Sequence, residues 1–356
     1  MHSLFLLTAL VAGAASQAVP PSSSSRPYKP IVLESSGGFA VGGTVLHNPQ
    51  RPNSTLSCDH GYLEYFLPWT RRATSLVMWH SSSTQVWQNR WDGGEGFKDM
   101  FLRRDYPVYL WDGPRVGRAN WGCETVIYRP GYRDQGNFGS WNFGRTYPNW
   151  YNDTQFPRDN VEAWNQAVRA RYDEMDTAAN VYLQAAAAAV AADSGKVGKD
   201  IVYLTNSAGG LRALVTATRA NGTNIRGIVA YECIGSIFPN DTAVLTQLGI
   251  TPSRGGFGPF VVPPEDFHKL ASLTAIQFVW GDHRDDAWPY VVQARQMADL
   301  INQHGGHAEV LMLGREVGLH GSSHIAFADM DNDKVAAMLD DFLARNKLDQ
   351  YAQDDR

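Results

Sequence analysis

Several scarcities narrow what this chain can be. It carries three cysteines in 356 residues, which admits at most one internal disulfide and excludes a disulfide-built scaffold. Neither sign of charge predominates: 31 Lys and Arg against 36 Asp and Glu leave a net charge of −5. That balance offers no electrostatic footprint for nucleic acid or for an anionic membrane surface, and neither partner is expected. Beyond the N-terminus no stretch approaches the roughly 18 consecutive apolar residues of a membrane span. The ten histidines show no H-E-x-x-H or comparable ligand spacing, so no metal is expected, and no cofactor. No internal repeat is visible. What is present is core material: hydrophobic residues make up 44% and charged residues 19%. Strand and helix patterns alternate from about residue 72 to 345, which predicts one open, mostly parallel α/β sheet flanked by helices rather than two domains.

The N-terminus reads as a targeting segment. Leu4 to Val11 is a short apolar core, and Ala14-Ala15-Ser16 and Ser16-Gln17-Ala18 offer small residues to a signal peptidase. A signal peptide over residues 1–18, cleaved near residue 16–18, predicts a secreted protein. Four glycosylation sequons, at Asn53, Asn152, Asn221 and Asn240, agree with that address. The expected disulfide joins Cys58 to Cys123, leaving Cys233 as a buried free thiol or an alternative partner. A Pro/Ser-rich segment fills residues 19–37, the main domain residues 38–347, and a polar tail residues 348–356. Oligomeric state is not readable from these features.

Within the domain, Ile31-Val32-Leu33-Glu34 and Phe39 to Val45 predict a β-hairpin, and Gly61 to Pro68 a strand with Leu63, Tyr65 and Leu67 on one face. Buried strands follow at Ser75 to His80 and Tyr106 to Trp111. A single long amphipathic helix is expected from Val161 to Asp193. Two segments lack strand periodicity and read as insertions over a site, at about residues 120–159 and 233–273. The first is dense in aromatic residues against a chain average of 12%. Such residues either line an apolar pocket or pack the segment onto the domain.

The chemistry-bearing string is Ile201-Val202-Tyr203-Leu204-Thr205-Asn206-Ser207-Ala208-Gly209-Gly210. A strand-like run enters a serine with small neighbours, and a helical pattern, Leu211 to Ala217, leaves it. A serine on so sharp a strand-to-helix turn needs small residues two before and two after it. Gly209 satisfies that demand, Thr205 only in part, and small-x-Ser-x-Gly strings also arise by chance. Order along the chain adds weight, because an acyl-transfer serine needs a histidine and a carboxylate. Strand-like runs end at Glu232 and at Asp282, each a possible acid. A Gly-rich loop after a further strand carries both His320 and His324, and the residues alone do not choose between them.

The loop Gly318-Leu319-His320-Gly321-Ser322-Ser323-His324, with Asp329 and Asn332 trailing, resembles the histidine loop of a group within the α/β-hydrolase superfamily. Its members are secreted bacterial and fungal esterases whose acid follows the sixth strand instead of the seventh. The resemblance covers roughly residues 38–347 and implies an α/β-hydrolase fold with aromatic-rich cap insertions. It implies Ser207 as nucleophile, His324 as base and Glu232 as acid, with Asp282 the alternative acid and His320 the alternative base. By position, the oxyanion donors fall at Ala208 and at Ser81 or Ser82, where many relatives carry glycine or another small residue. The activity implied is hydrolysis of a small-molecule carboxylic ester, hydrophobic or aromatic, through an acyl-enzyme. Two rivals stand beside it: a non-catalytic ligand-binding protein of the same fold, and a biosynthetic acyl-transfer or cyclising enzyme.

Overall fold

The computed structural model describes residues 28–353 apart from Arg129 and Glu174. The expected signal peptide and nearly all of the Pro/Ser-rich segment's first half lie outside the described residues. From Ile31 onward the chain forms one compact unit, organised on eight strands. These are β1 (Leu33–Val41), β2 (Gly61–Pro68), β3 (Thr74–Trp79), β4 (Val108–Asp112), β5 (Asp200–Asn206), β6 (Ile225–Tyr231), β7 (Ala275–Trp280) and β8 (Ala308–Met312). Their spatial order is β1-β2-β4-β3-β5-β6-β7-β8. β2 runs antiparallel to both β1 and β4, and every other pairing is parallel. A parallel sheet is covered on both faces, which is why β3, β5, β6 and β7 read as near-continuous apolar runs.

Five helices matter for the site: α1 (Val161–Arg169), α2 (Ala178–Asp193), α3 (Ala208–Arg219), α4 (Pro289–Gln303) and α5 (Asn332–Arg345). One core layer joins the sheet to α2, α3 and α4 through residues such as Ala188, Leu214 and Met297. The other joins its opposite face to α1, α5 and the aromatic insertion through Ala163, Leu339 and Phe143. β2 splits between them, with Leu63, Tyr65 and Leu67 in the first layer and Phe66 in the second. Among the described residues no helix is long and apolar enough to cross a membrane.

Four expectations need correcting. The hairpin expected at Ile31 to Val45 is instead one strand, β1, paired with β2 along most of its length. Ser35-Ser36-Gly37-Gly38 looks like a turn, yet the glycines serve the sheet: a side chain on Gly38 would overlap the Tyr62 ring, which lies across it. The true hairpin is the exposed pair Thr44–Asn48 and Arg51–Cys58. The long helix is two helices. Asn160 caps α1 by accepting from the N–H groups of Glu162 and Ala163 at 3.0 and 3.1 Å, and Thr177 caps α2 at Asn180 N, 3.2 Å. Between them the Tyr172 N–H is drawn to Ser82 O at 2.6 Å. Nor is α2 amphipathic: its alanines are buried on most sides, and their small size lets α2 lie close against α3. The polar tail is likewise tied down. Leu348 is buried, and Gln350 O and Arg71 O accept from the N–H groups of Ala73 and Ala352 at 2.9 and 3.1 Å.

The insertions have structure of their own. The first holds a short helix, Asp134–Ser140, and a two-stranded turn, Gly144–Thr146 with Asn149–Trp150. The second holds a parallel pair, Ile237–Pro239 with Phe260–Val262, flanked by the helices Thr242–Leu248 and Pro264–His268. Cys58 and Cys123 form a disulfide, and Cys233 is free and buried.

Candidate active site

β5 is carried by its apolar run into the middle of the sheet and ends at Ser207, whose backbone sits at φ 54° and ψ −127°. A non-glycine residue there stores about 1–3 kcal/mol of strain, held by the strand before it and the helix after it. Two backbone bonds fix the turn: the Ser207 N–H donates to Tyr231 O at 3.0 Å, and the Ile234 N–H donates to Ser207 O at 3.1 Å. Gly209 must be glycine, because a Cβ would stand 2.8 Å from Trp79 O. That approach lays the start of α3 beside the loop that leaves β3. Thr205 fits at the other small position, fully buried with its hydroxyl 3.5 Å from Val229 O.

The loop after β3 begins at His80 and continues through Ser81 and Ser82, both half-buried. His80 Nε2 lies 2.9 Å from Asp112 Oδ1 with both side chains buried, and Arg118 Nε donates to Asp112 Oδ2 at 2.6 Å. Burial pushes the Asp112 carboxyl up, but His80 and Arg118 outweigh it and hold it below the usual carboxylate range. The buried contact between His80 and Asp112 anchors the root of the loop, and the Tyr172 N–H holds Ser82 O. Ala208 opens α3, where N–H groups have no partner within the helix.

His324 is gripped through its main chain. Its N–H donates to Trp141 O at 2.9 Å, and its carbonyl accepts from Asn206 Nδ2 at 3.0 Å. Its ring Nδ1 lies 3.1 Å from Glu232 Oε2, with both residues buried. Glu232 leaves β6 with its own positive φ of 49°, and its Oε1 accepts from the Gly281 N–H at 2.7 Å. Arg284, on the loop after β7, donates from Nε to Oε2 at 2.6 Å and brings Nη2 within 3.4 Å of His324 Nδ1. Burial pushes the Glu232 carboxyl up, while Arg284, His324 and the Gly281 N–H hold it below the usual range, and the partners win. For His324, burial lowers the imidazole's affinity for a proton, Glu232 raises it and Arg284 lowers it, with a net lowering.

Asp282 and His320 are directed elsewhere. Asp282 Oδ2 accepts from the Gly321 N–H at 2.9 Å and lies 3.4 Å from His320 Nδ1, while Oδ1 accepts from the His283 N–H at 2.9 Å. His320 is largely exposed. Asp282 therefore braces the loop that carries His324, both of its oxygens being engaged by Gly321, His320 and His283. His283, stacked on Tyr151 at 3.9 Å, pairs with Asp153 at 2.9 Å. Among the described residues, Asp153, Asp282 and His283 are the one group whose ligand-type atoms lie within 4.8 Å of one another. The four sequon asparagines are all exposed.

Two site residues carry no local signal in the sequence, Asn206 and Arg284. Asn206 is hidden as an ordinary strand-end polar residue, and Arg284 shows only as the second residue after Asp282. Part of the aromatic density of the first insertion packs it onto the domain, while Trp121, Tyr128 and Tyr132 are exposed. Phe138, Phe143 and Phe156 are fully buried against Trp150 and Trp164. Beside Arg284 a cavity of about 490 Å³ is lined by Asn142, Arg145, Tyr151, His283 and Trp288 among others.

No protein-family model matches this sequence, and no curated protein matches it. Among solved structures, one described as a novel bacterial esterase superposes with a TM-score of 0.69 at 22% identity, covering 91% of this chain and 99% of that one. A carboxylesterase from Bacillus subtilis aligns at TM-score 0.41 and 12% identity, over 86% of this chain and 90% of its own. A proline iminopeptidase from Mycobacterium smegmatis aligns at 0.43 and 12%, over 88% and 99%. The strand order, a mostly parallel sheet of eight strands flanked by helices, agrees with the first of these superpositions, and the chain has the α/β-hydrolase fold.

Proposed function

We propose that this protein is a serine hydrolase of carboxylic esters, with Ser207 as nucleophile, His324 as general base and Glu232 as its carboxylate partner. The observation that carries the reading is the buried bond between His324 Nδ1 and Glu232 Oε2 at 3.1 Å, made by a histidine whose carbonyl is tied to the residue before the strained serine. With Nδ1–H donating to Glu232, Nε2 is left free to accept a proton. In the first step His324 takes the Ser207 hydroxyl proton as Oγ bonds to the ester carbonyl carbon. Collapse of the tetrahedral adduct breaks the bond to the alkoxy oxygen, which leaves as an alcohol with that proton. Water then attacks the acyl-enzyme, His324 again taking a proton, and the acid and free serine are released. The oxyanion is received by the Ala208 N–H and an N–H of Ser81 or Ser82, each donor worth about 3 kcal/mol in the transition state.

The expected secretion of the mature chain belongs to this proposal, and so does its substrate, a small ester. The buried aromatics of the insertion pack onto the domain, so they lend little support to an aromatic substrate in particular. The test is hydrolysis of a panel of short-chain p-nitrophenyl esters by wild type and Ser207→Ala, with the folding of both checked by circular dichroism. Wild-type turnover that falls at least about 10³-fold in the folded variant supports the reading. Two equally inert proteins, with Ser207 unlabelled by a fluorophosphonate, overturn it in favour of a ligand-binding role.

A further inference from the structure

We propose that Arg284 is a positioning residue of this site: its guanidinium shares the Glu232 oxygen that faces His324 and sets how much of that carboxylate the imidazole receives. The inference rests on the hydrolase reading for its kinetic meaning and on geometry for its substance. Arg284 Nε and His324 Nδ1 converge on the same atom, Glu232 Oε2, at 2.6 and 3.1 Å. The arginine side chain is 10% exposed, and it is held from three sides. It donates to Ser140 O at 3.1 Å and its guanidinium lies 4.5 Å from the centre of the Trp288 ring, so it is fixed independently of Glu232. A cation placed this way keeps Glu232 ionised and repels a second positive charge on the ring beside it.

Nη2, at 3.4 Å from Nδ1, adds a choice of tautomer. If the ring accepted this bond, its proton would lie on Nε2 and the base would be blocked. The shorter contact to Glu232 selects the tautomer with Nδ1–H. The other charged groups near the ring differ in kind. Asp329, on the same loop, is fully buried and pushed up to about 8, chiefly by burial, so it is neutral over the acidic range. Asp282 is occupied by Gly321 and by His320, and His283 by Asp153. Glu232 and Arg284 are therefore the charges in direct contact with His324.

The sign follows directly. His324 must be unprotonated to act, so activity falls below its titration point. Arg284 moves that point down and extends activity into acid. Arg284→Gln should shift the acid limb of kcat/KM upward by about one pH unit, a loss that approaches about tenfold on the acid side, with little change at pH 8. Arg284→Lys, which keeps the charge, should leave the limb near the wild-type position. His324 titration, followed by NMR in a Ser207→Ala background, should move with the limb. A folded Arg284→Gln with the wild-type limb and the wild-type titration overturns the inference. Should Arg284→Gln not fold, Trp288→Ala, which removes the ring beneath the guanidinium, takes its place. A smaller shift in the same direction is expected, and none overturns the inference. If the titration moves in a protein inert toward every ester, the hydrolase reading fails and the positioning role stands.

Discussion

Glu232 and Asp282 stand at the ends of neighbouring strands, and their fates differ because of a single atom's direction. Glu232 Oε2 meets His324 Nδ1, while Asp282 is consumed by the Gly321 N–H and His320. Glu232→Gln should therefore lower kcat by about 10³-fold or more with KM nearly unchanged, since a neutral amide no longer stabilises the imidazolium. Asp282→Asn should keep kcat within about tenfold and show its loss in the melting temperature instead, because it holds a loop and not a ring. A ranking with Asp282 the costlier residue would reverse the assignment of the acid. Ser207 was legible as a candidate because it lies in a local string whose composition is forced by a turn, and the histidine loop was legible as a Gly-rich string, but the preference for His324 over His320 came only from the resemblance. The choice of acid was not legible from the residues alone: both carboxylates end apolar runs, and periodicity says nothing of where a side chain turns after the strand. Arg284 was invisible for a related reason, being built into the site by its bonds to Glu232 and Ser140, both far from it in sequence.

At the scale of elements, two adjacent strands run directly into non-glycine residues of positive φ, Ser207 after β5 and Glu232 after β6, and a third such residue, His283, lies on the loop after β7. The sheet's C-terminal edge thus concentrates strain where its side chains are displayed, a cost that packing elsewhere offsets. One tight junction at this edge is the approach of α3 to the end of β3. Gly209→Ala would put a Cβ 2.8 Å from the carbonyl of Trp79 and move the helix start away from the Ser81 and Ser82 loop. A loss of about 10²-fold in kcat is expected, as for one missing oxyanion donor, with a drop in thermal stability measured beside it. Full activity in this variant would mean the loop and the helix do not act together. Elements were legible where the pattern was unbroken, as in the buried strands. They were misread at β1, where two glycines make room for tyrosine rings, and at α1 and α2, where an alanine-rich pattern hides a break set by two caps and a bond from Tyr172 to the Ser82 loop.

For the whole molecule, the disulfide links the outer hairpin's last residue to the start of the aromatic insertion across a sequence separation of 65. Closing a loop of that length restricts the unfolded chain by roughly 4 kcal/mol at most. The Cys58→Ser/Cys123→Ser variant should lose roughly 2–4 kcal/mol in denaturant unfolding, and a thiol reductant should shift the wild type but not the variant. An equal effect of reductant on both would place its action elsewhere. The architecture as a whole was the most legible level, because a covered parallel sheet forces continuous apolar runs at regular intervals. One consequence of that architecture concerns tolerance to change. His324 is moored by its neighbours in space, its carbonyl to Asn206 and its N–H to Trp141, and not by the span that connects it to β8. The stretch around Val317 and Gly318 is exposed and outside those moorings, so a change of length there should leave His324 at its address, which makes it the natural seam for grafting new sequence onto this scaffold.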